Sequence, residues 1–180
     1  MQAHPDLDIH YHLQPFNQGK GAALRTGIAL ATGDWIIIQD ADLEYDPEDY
    51  NPLLQWVIEN NAKGVYGSRF LKPSNKHSYL RFYLGGRLVT FVTNLLYSQH
   101  LTDEPTCYKF FDAQFLKSIP LKCQGFEFCP EVTAKVCKKG IKIHEIPINY
   151  YPRSIAEGKK INWKDGLEAI WTLLKYRFKN

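Results

Sequence analysis

The short apolar run WIIIQ at residues 35–39 constrains the fold most, because it lies between a predicted helix and a cluster of acids. A run this short and this rich in isoleucine is typical of a buried strand of the parallel-sheet kind. Before it, Ala22 to Thr32 predicts a helix that ends near Gly33. After it, Asp46 is placed to cap a second helix, and Pro47 suits the first position of that helix. A strand between two helices predicts an α/β domain.

The rest of the chain continues this alternation. Residues 7–14, 64–70 and 141–151 predict strands, and Pro147 indicates that the last of these lies at an edge or contains a bulge. Residues 79–98, 130–139 and 161–180 predict helices. The last helix is amphipathic, and its apolar stripe would either cover the sheet or rest in a membrane interface. We therefore expect a mixed, mostly parallel sheet flanked by helices.

Composition excludes several classes of protein. The chain has 180 residues, 44% of them hydrophobic, which fits one globular domain and excludes a disordered chain. The net charge of +3 is too small to argue for a nucleic-acid partner, although basic residues crowd the last quarter and could meet phosphates, an anionic membrane or only solvent. Four cysteines without a C-x-x-C pair predict reduced thiols in a cytoplasmic protein. No apolar run is long enough to cross a bilayer, so we expect a soluble protein or one that lies on a membrane surface.

Three acids, Asp40, Asp42 and Glu44, follow the apolar run directly. In an extended backbone these alternate residues would point the same way and meet at the carboxyl end of the strand, where open α/β sheets bind ligands. Carboxylates this close repel each other, and a divalent cation offsets that repulsion. Hard oxygen ligands suit Mg²⁺ or Mn²⁺, which usually share their coordination with substrate phosphates. The pattern therefore predicts a metal site for a substrate that carries a diphosphate.

Two other interpretations of these motifs fit the residues less well. Phosphatases of the haloacid-dehalogenase type also place D-x-D after a strand, but they carry threonine or valine where Glu44 stands. Gly19 and Gly21 lack the third glycine of a dinucleotide-binding loop and the Gly-Lys-Ser/Thr of a P-loop. They fit a simple turn into a helix, at whose N-terminus Lys20 could still meet a phosphate.

Several ordered stretches together resemble family-2 glycosyltransferases, in particular the dolichyl- or polyprenyl-phosphate sugar synthases such as dolichol-phosphate mannosyltransferases. They are NQGKGAALRTGIALATGDWIIIQDADLEYDPEDY, YGSRF, LTDEPTCYKFFD, FEFCPEVTAKVCKKGIKIHEIPINYYPRS and EGKKINWKDGLEAIWTLLKYRF. The resemblance runs from about Leu13 to the C-terminus. It implies a GT-A fold and an inverting transfer of a sugar from a nucleotide sugar of the GDP-mannose or UDP-glucose type to a polyprenyl or dolichyl phosphate. It also implies that Mg²⁺ or Mn²⁺ assists the transfer.

The resemblance implies a role for each matching residue. The residues expected to act in catalysis are Asp42, Asp103 and Arg69. The expected metal ligands are Asp40, Asp42 and Glu44. The expected contacts to the donor diphosphate are Lys20, Asp40, Arg153 and Lys160. The expected contacts to the acceptor phosphate are Arg69, Arg87, Thr90 and Lys159, with Arg81 competing for the place of Arg87 or Thr90.

One departure from the family pattern affects what this chain is expected to do alone. Relatives begin with a strand carrying P-x-Y/F-N-E, a helix, and a strand ending in D-D-G/S-S, and nothing before Leu7 matches these. We therefore expect one partial catalytic domain over residues 1–180, truncated at the N-terminus, with an amphipathic helix at 161–180. Such a chain would be a weak or inactive enzyme alone, and its exposed sheet edge would favour a homo-oligomer.

Two alternative functions stay open on the sequence. The first is a non-catalytic pseudoenzyme or fragment with the same fold, which would bind a nucleotide sugar without turnover. The second is a sugar-nucleotide nucleotidyltransferase. That class should show a glycine-rich signature with arginine and lysine near its start, and none is visible.

Overall fold

The computed structural model describes residues 8–76, 79–153 and 162–179 of the chain, which form one mixed sheet and the helices around it. The strands are β1 (Trp35–Ile37), β2 (Gly64–Ser68), β3 (Lys109–Asp112) and β4 (His144–Pro147). The helices are α1 (Lys20–Leu30), α2 (Tyr50–Glu59), α3 (Leu80–Tyr97), α4 (Ala113–Lys117), α5 (Phe128–Lys138) and α6 (Trp163–Phe178), and a 3₁₀ turn at Pro47–Asp49 leads into α2. The predicted sheet flanked by helices is confirmed.

The sheet has the strand order β1-β3-β2-β4. The strands β1, β2 and β4 run in one direction, whereas β3 runs the other way and pairs antiparallel with both β1 and β2. The parallel pairing expected for WIIIQ is therefore wrong, because β3 is the neighbour of β1 and Trp35 lies opposite Asp112. A continuous apolar run indicates that both faces of a strand are buried, but it does not indicate whether the neighbouring strand runs parallel or antiparallel.

The edges of this sheet are β1 and β4. The position of β4 confirms the edge that was expected from Pro147. A proline fits there because it lacks the N–H that a central strand would need. Pairing of either edge with a second copy of the chain stays a prediction.

The core lies on both sides of the central strands. On one side, Leu53 and Val57 of α2 pack toward β2, and Val132 of α5 belongs to the same buried cluster. A second, smaller cluster around Val89 and Leu173 joins α3, α5 and α6. Full burial of a leucine or valine side chain contributes about 1.5–3 kcal/mol, so these clusters hold the helices against the sheet and against each other.

The strand predicted at residues 7–14 does not form within the described part of the chain. Residues 8–14 have no regular secondary structure, and their alternating apolar side chains Ile9, Tyr11 and Leu13 are exposed. The prediction was wrong because alternation describes only the two faces of a strand. A strand also needs a neighbour to satisfy its backbone hydrogen bonds, and none of the four described strands pairs with this segment.

The apolar stripe of α6 does not cover the sheet. Trp163, Leu167, Trp171 and Phe178 are 72%, 58%, 65% and 79% exposed, whereas Leu173 is buried. The helix packs on α3 and α5 through its other side, so the stripe faces away from the core. Among the described residues, no helix is both long and apolar enough to span a bilayer.

Candidate active site

The acids that follow β1 lie in a turn. Asp42 accepts a hydrogen bond from the backbone N–H of Glu44 at 3.2 Å, and Leu43 between them has a φ of 61°. A left-handed residue ends the extended backbone. The prediction assumed an extended strand through Glu44, so the expected alignment of Asp40, Asp42 and Glu44 on one side is wrong.

Lys20 neutralises the first of these acids. Its Nζ lies 2.6 Å from Asp40 Oδ2, and both side chains are mostly buried. The two glycines around Lys20 allow the start of α1 to approach the backbone of residues 123–125. A Cβ at Gly19 would stand 2.4 Å from the carbonyl oxygen of Gln124, and φ there is +88°. The glycines therefore serve packing, and they place Lys20 beside Asp40.

Arg153 neutralises the other two acids. Its Nη2 lies 2.8 Å from Asp42 Oδ2, and its backbone N–H donates to Glu44 Oε1 at 2.9 Å. The backbone N–H of Tyr151 donates to the carbonyl oxygen of Glu44 at 2.8 Å. The turn after β1 is thus joined to the segment after β4. Glu44 is 7% exposed, and Tyr150 also donates a hydrogen bond to its carboxylate at 3.4 Å.

Arg69 and Asp103 form a second charged group at the end of β2. Asp103 is fully buried and accepts from Arg69 three times: from Nε at 2.7 Å, from Nη2 at 2.6 Å and from the backbone N–H at 3.0 Å. Burial alone would lower the pKa of Arg69, but the Asp103 carboxylate raises it well above the usual range, so Arg69 keeps its charge. Nη1 of Arg69 makes no hydrogen bond with any described residue.

Tyr150 lies between the two charged groups. Its ring centroid is 5.1 Å from the Arg69 guanidinium, and its hydroxyl reaches Glu44. The fold therefore brings five of the predicted residues to the end of the sheet at which β1, β2 and β4 all finish: Asp40, Asp42, Arg69, Asp103 and Arg153.

The other predicted phosphate contacts differ in position. Arg87 approaches this end of the sheet, since its Nη1 donates to the carbonyl oxygen of Thr102 at 3.1 Å. Thr90 is buried, and its hydroxyl is used, because it donates to the carbonyl oxygen of Gly86 and accepts from the N–H of Glu104. Thr90 therefore supports the loop at residues 103–104 and does not face solvent. Arg81 is exposed and lies against the rings of Tyr79 and Phe82. Lys159 and Lys160 lie outside the described residues.

This geometry agrees with the family match of the sequence. The model of "Glycosyl transferase family 2" matches residues 1–119, which include both acidic motifs and Arg69. The chain belongs to glycosyl transferase family 2.

The chain is similar over most of its length to two relatives. It is 27% identical over 170 residues to the low-salt glycan biosynthesis hexosyltransferase Agl6 of Haloferax volcanii, and covers 40% of that protein with 90% of its own length. It is 30% identical over 153 residues to a UDP-N-acetylglucosamine–dolichyl-phosphate N-acetylglucosaminyltransferase of Methanococcus voltae, and covers 61% of that protein with 81% of its own length. The chain therefore spans about half the length of these relatives.

The fold of the chain also resembles that of a solved enzyme structure. Glucosyl-3-phosphoglycerate synthase of Mycobacterium tuberculosis, in complex with Mn²⁺, UDP-glucose and phosphoglyceric acid, superposes with a TM-score of 0.61 at 18% identity. The superposition covers 91% of this chain and 56% of the mycobacterial one. The likeness confirms the expected GT-A fold of this family-2 member.

Asp40 and Asp42 have the donor chemistry that a divalent metal requires. Both offer carboxylate oxygens, and each already holds a cation, Lys20 or Arg153. Within residues 8–76, 79–153 and 162–179, no three His, Cys, Asp or Glu side chains are grouped so that they could hold a metal. Two protein carboxylates with substrate oxygens in the remaining positions suit Mg²⁺, which rarely uses an all-protein cage.

Sequence reasoning missed two residues that organise this site. Tyr150 joins the two charged groups, and Glu145 on β4 accepts hydrogen bonds from Thr102 and Asp103. A glutamate between His144 and Ile146 in a short strand carries no motif signal, because its partners lie 42 and 43 positions away in the sequence. The parallel pairing of β2 and β4 places Glu145 beside Tyr66, near the end of β2 where the Ser68 hydroxyl meets Thr102.

Proposed function

We propose that this family-2 glycosyltransferase transfers a sugar, with inversion, from a nucleotide sugar to a polyprenyl phosphate. The observation that carries the proposal is the pair of charged groups on either side of Tyr150. One group consists of the acids and cations at residues 20, 40, 42, 44 and 153, and the other of Arg69 and Asp103. Two anions, the donor diphosphate and the acceptor phosphate, need two such cationic places close together.

The acids and their cations suit the donor diphosphate. Asp40 and Asp42 would hold Mg²⁺ or Mn²⁺, which when bound stabilises the charge of the departing diphosphate. Lys20 and Arg153 already neutralise these acids, so they are placed to turn toward diphosphate oxygens. We leave Glu44 out of the ligand set, because its side chain is 9% exposed, against 21% for Asp42, and its oxygens already accept from Arg153 and Tyr150. The bound Mn²⁺ and UDP-glucose of the mycobacterial structure support this assignment by analogy of fold.

Arg69 suits the acceptor phosphate. Asp103 fixes its Nε and Nη2, while Nη1 makes no hydrogen bond in the described part of the chain and is left to bind an anion. A phosphate oxygen of the acceptor attacks the anomeric carbon from the side opposite the diphosphate. The carbon–oxygen bond to the diphosphate breaks, and the nucleoside diphosphate leaves with the electron pair. Because the attacking oxygen is already anionic, the step needs no strong general base. The dolichyl-phosphate acceptor in the name of the Methanococcus relative supports this choice of acceptor.

The exposed stripes of α3 and α6 support a membrane contact beside this site. Five apolar residues on one face of α3 are exposed at helical spacing: Leu80, Leu84, Leu88, Phe91 and Leu95. Arg81 and Arg87 flank that stripe, and α3 carries no acid. The stripe of α6 contains two tryptophans, which favour the boundary between lipid and water. We propose that the two helices rest on an anionic bilayer and present the site to a lipid-borne phosphate.

The donor half of the proposal is tested by thermal unfolding with UDP-glucose, UDP-N-acetylglucosamine and GDP-mannose, each with and without Mn²⁺. A ligand at about ten times its Kd adds about 1.4 kcal/mol of stability. We expect a metal-dependent shift with one donor that Asp42→Ala abolishes. The control is Glu48→Ala, which removes an exposed acid of the same segment and should leave the shift unchanged. A shift that is equal in Asp42→Ala would contradict the metal assignment.

Turnover separates the enzyme from the non-catalytic alternative. The same samples are incubated with labelled donor and a polyprenyl phosphate in detergent, and lipid-linked sugar is extracted. Donor binding without labelled lipid, in a folded chain, would favour a pseudoenzyme or a fragment that needs further residues.

The membrane half is tested by sedimentation with vesicles of phosphatidylcholine, with and without phosphatidylglycerol. We expect binding that requires the anionic lipid and that falls in Phe91→Ser and Trp171→Ser. Ile58→Ser is the matched control, because Ile58 is 61% exposed on α2, away from both stripes. No sedimentation with either vesicle, or equal sedimentation of all variants, would contradict the membrane contact.

A further inference from the structure

Glu145 holds the loop that carries Asp103. It lies on β4, where it pairs in register with Tyr66 of β2. Its Oε2 accepts from the backbone N–H of Thr102 at 2.6 Å and from the Thr102 hydroxyl at 2.8 Å. Its Oε1 accepts from the backbone N–H of Asp103 at 2.8 Å. Both carboxylate oxygens are therefore used on two successive residues of one loop, by hydrogen bonds to a charged group.

The loop is also joined to Arg69 through hydroxyl groups. The hydroxyls of Ser68 and Thr102 lie 2.6 Å apart. Thr102 has one hydroxyl proton and donates it to Glu145, so Ser68 must be the donor in this second bond. Ser68 precedes Arg69, and Thr102 precedes Asp103. The chain segments on both sides of the Arg69–Asp103 pair are thus tied to one carboxylate.

Asp103 in turn sets the direction of the Arg69 guanidinium. It accepts from Nε and Nη2 as a fork, and from the backbone N–H of the same arginine. A forked pair fixes the plane of the guanidinium as well as its position. A small movement of the Asp103 backbone therefore turns Nη1, which is the atom left for an anion.

We propose that Glu145 is a positioning residue, which aims Arg69 at the acceptor phosphate through Thr102 and Asp103. The proposal rests on the proposed function for the identity of the anion, but the aim of Arg69 is a property of the chain alone. Glu145→Gln keeps the size of the side chain and turns an NH₂ group toward at least one N–H of the loop. The loop must then shift, and the guanidinium shifts with it.

The orientation of Arg69 is tested by the rate at which its Nε–H proton exchanges with water. The rate is read from the Nε–H resonance of ¹⁵N-labelled protein, which is assigned by its loss in Arg69→Lys. A buried forked pair should protect this proton from exchange with water. In Glu145→Gln we expect exchange to rise about tenfold, the change that follows from loss of a hydrogen bond to a charged group. Thr102→Val removes only the hydroxyl bonds and should raise exchange less.

Glu131→Gln is the matched control. Glu131 is 1% exposed and accepts from the N–H groups of Lys122 and Cys123, so it also holds a two-residue loop, but on another part of the molecule. It should lower the melting temperature and leave the Arg69 resonance unchanged. Unchanged exchange in Glu145→Gln, or an equal rise in Glu131→Gln, would overturn the proposal.

Kinetics connects the position of Arg69 with the acceptor. In Glu145→Gln we expect KM for polyprenyl phosphate to rise about tenfold, with KM for the nucleotide sugar unchanged, because an interaction with one substrate is lost. A rise in both KM values would overturn the acceptor-specific role. If the wild-type chain transfers no sugar, turnover by this chain alone is ruled out, while the Nε–H exchange still decides whether Glu145 positions Arg69.

Discussion

Both the stability of the fold and the proposed chemistry depend on the Arg69–Asp103 pair. Asp103 is fully buried, and the side chain of Arg69 is 18% exposed. Arg69→Met would leave a buried carboxylate without its cation, and removing one partner of a buried pair costs about 3–5 kcal/mol. We expect the free energy of unfolding in urea to fall by about that amount.

An exposed ion pair of the same type provides the comparison. Lys63 lies 3.1 Å from Asp112, and its side chain is 55% exposed. Lys63→Met should cost less than about 1 kcal/mol, since water screens such a pair. Equal losses in Lys63→Met and Arg69→Met would show that burial does not govern the Arg69–Asp103 pair.

At this scale the sequence predicted which charged residues the fold brings together better than it predicted their contacts. The motif and the family resemblance selected Asp40, Asp42, Arg69, Asp103 and Arg153, which the fold brings to the carboxyl end of β1, β2 and β4. The pairing of Arg69 with Asp103 spans 34 positions and has no signal in either motif. The turn at Leu43 was missed, because leucine rarely has a positive φ and nothing in its neighbours marks it.

Among the elements, α5 begins with a carboxylate that responds to pH. Glu131 accepts from the N–H groups of Lys122 and Cys123, and its Oε1 lies 2.5 Å from Lys135 Nζ. Burial alone would raise the pKa of Glu131, but the hydrogen bonds from Lys135, Tyr176 and Lys122 outweigh burial and lower it below 4.5. The unfolded state therefore takes up a proton at higher pH than the folded state does. The stabilisation by Glu131 is present above pH 4.5 and is lost as the pH falls below that value.

Glu131→Gln should remove this pH dependence. At about pH 7 we expect the variant to be about 1–3 kcal/mol less stable than the wild type, the cost of losing hydrogen bonds to a charged group. At about pH 3.5 the difference should shrink, because the Glu131 carboxyl of the unfolded wild type binds a proton there. Urea unfolding at both pH values measures it. Glu59→Gln is the control, since Glu59 is exposed and accepts from the Gln55 side chain. A difference for Glu131→Gln that stays constant between the two pH values would contradict a lowered pKa of Glu131.

Periodicity predicted the helices well and the placement of their faces less well. The apolar stripe of α6 was recognised at the right spacing, yet it is exposed, because spacing shows that a helix has an apolar side and not what covers that side. The strand predicted at residues 7–14 fails for a related reason. Its pattern describes one segment, whereas a strand is a property of two.

Across the whole molecule, a buried polar network joins the sheet, α5 and the site loop. Lys109 of β3 is fully buried, and its Nζ lies 2.5 Å from the carbonyl oxygen of Glu104, 3.9 Å from Glu104 Oε1 and 3.8 Å from the ring centroid of Tyr66. Thr133 of α5 donates to Glu104 Oε1 at 2.9 Å and accepts from the Tyr66 hydroxyl at 2.9 Å. Glu104 follows Asp103 directly, so the network also supports the site.

From the sequence, Lys109 and Glu104 would be expected on the surface, because lysine and glutamate are almost never fully buried unless they are paired. Glu104 Oε2 is buried and has no hydrogen-bond partner among the described residues. Burial raises the pKa of Glu104, and the charge of Lys109 opposes that rise. The carboxylate is therefore tolerated because of Lys109, and the two charges should be removable together more easily than singly.

Lys109→Met and Glu104→Gln should each cost about 3–5 kcal/mol, since each leaves the other group in the core without its partner. The double variant should be more stable than the sum of the two losses predicts, and the free energies from urea unfolding of the four proteins measure this coupling. The deficit of Lys109→Met should also shrink as the pH falls, because a raised pKa means that the folded state binds the proton more tightly, and protonated Glu104 carries no buried charge. Strictly additive losses, or a deficit of Lys109→Met that does not change with pH, would show that the two side chains are independent. The support of the site loop by Lys109 would then rest only on its hydrogen bond to the carbonyl oxygen of Glu104.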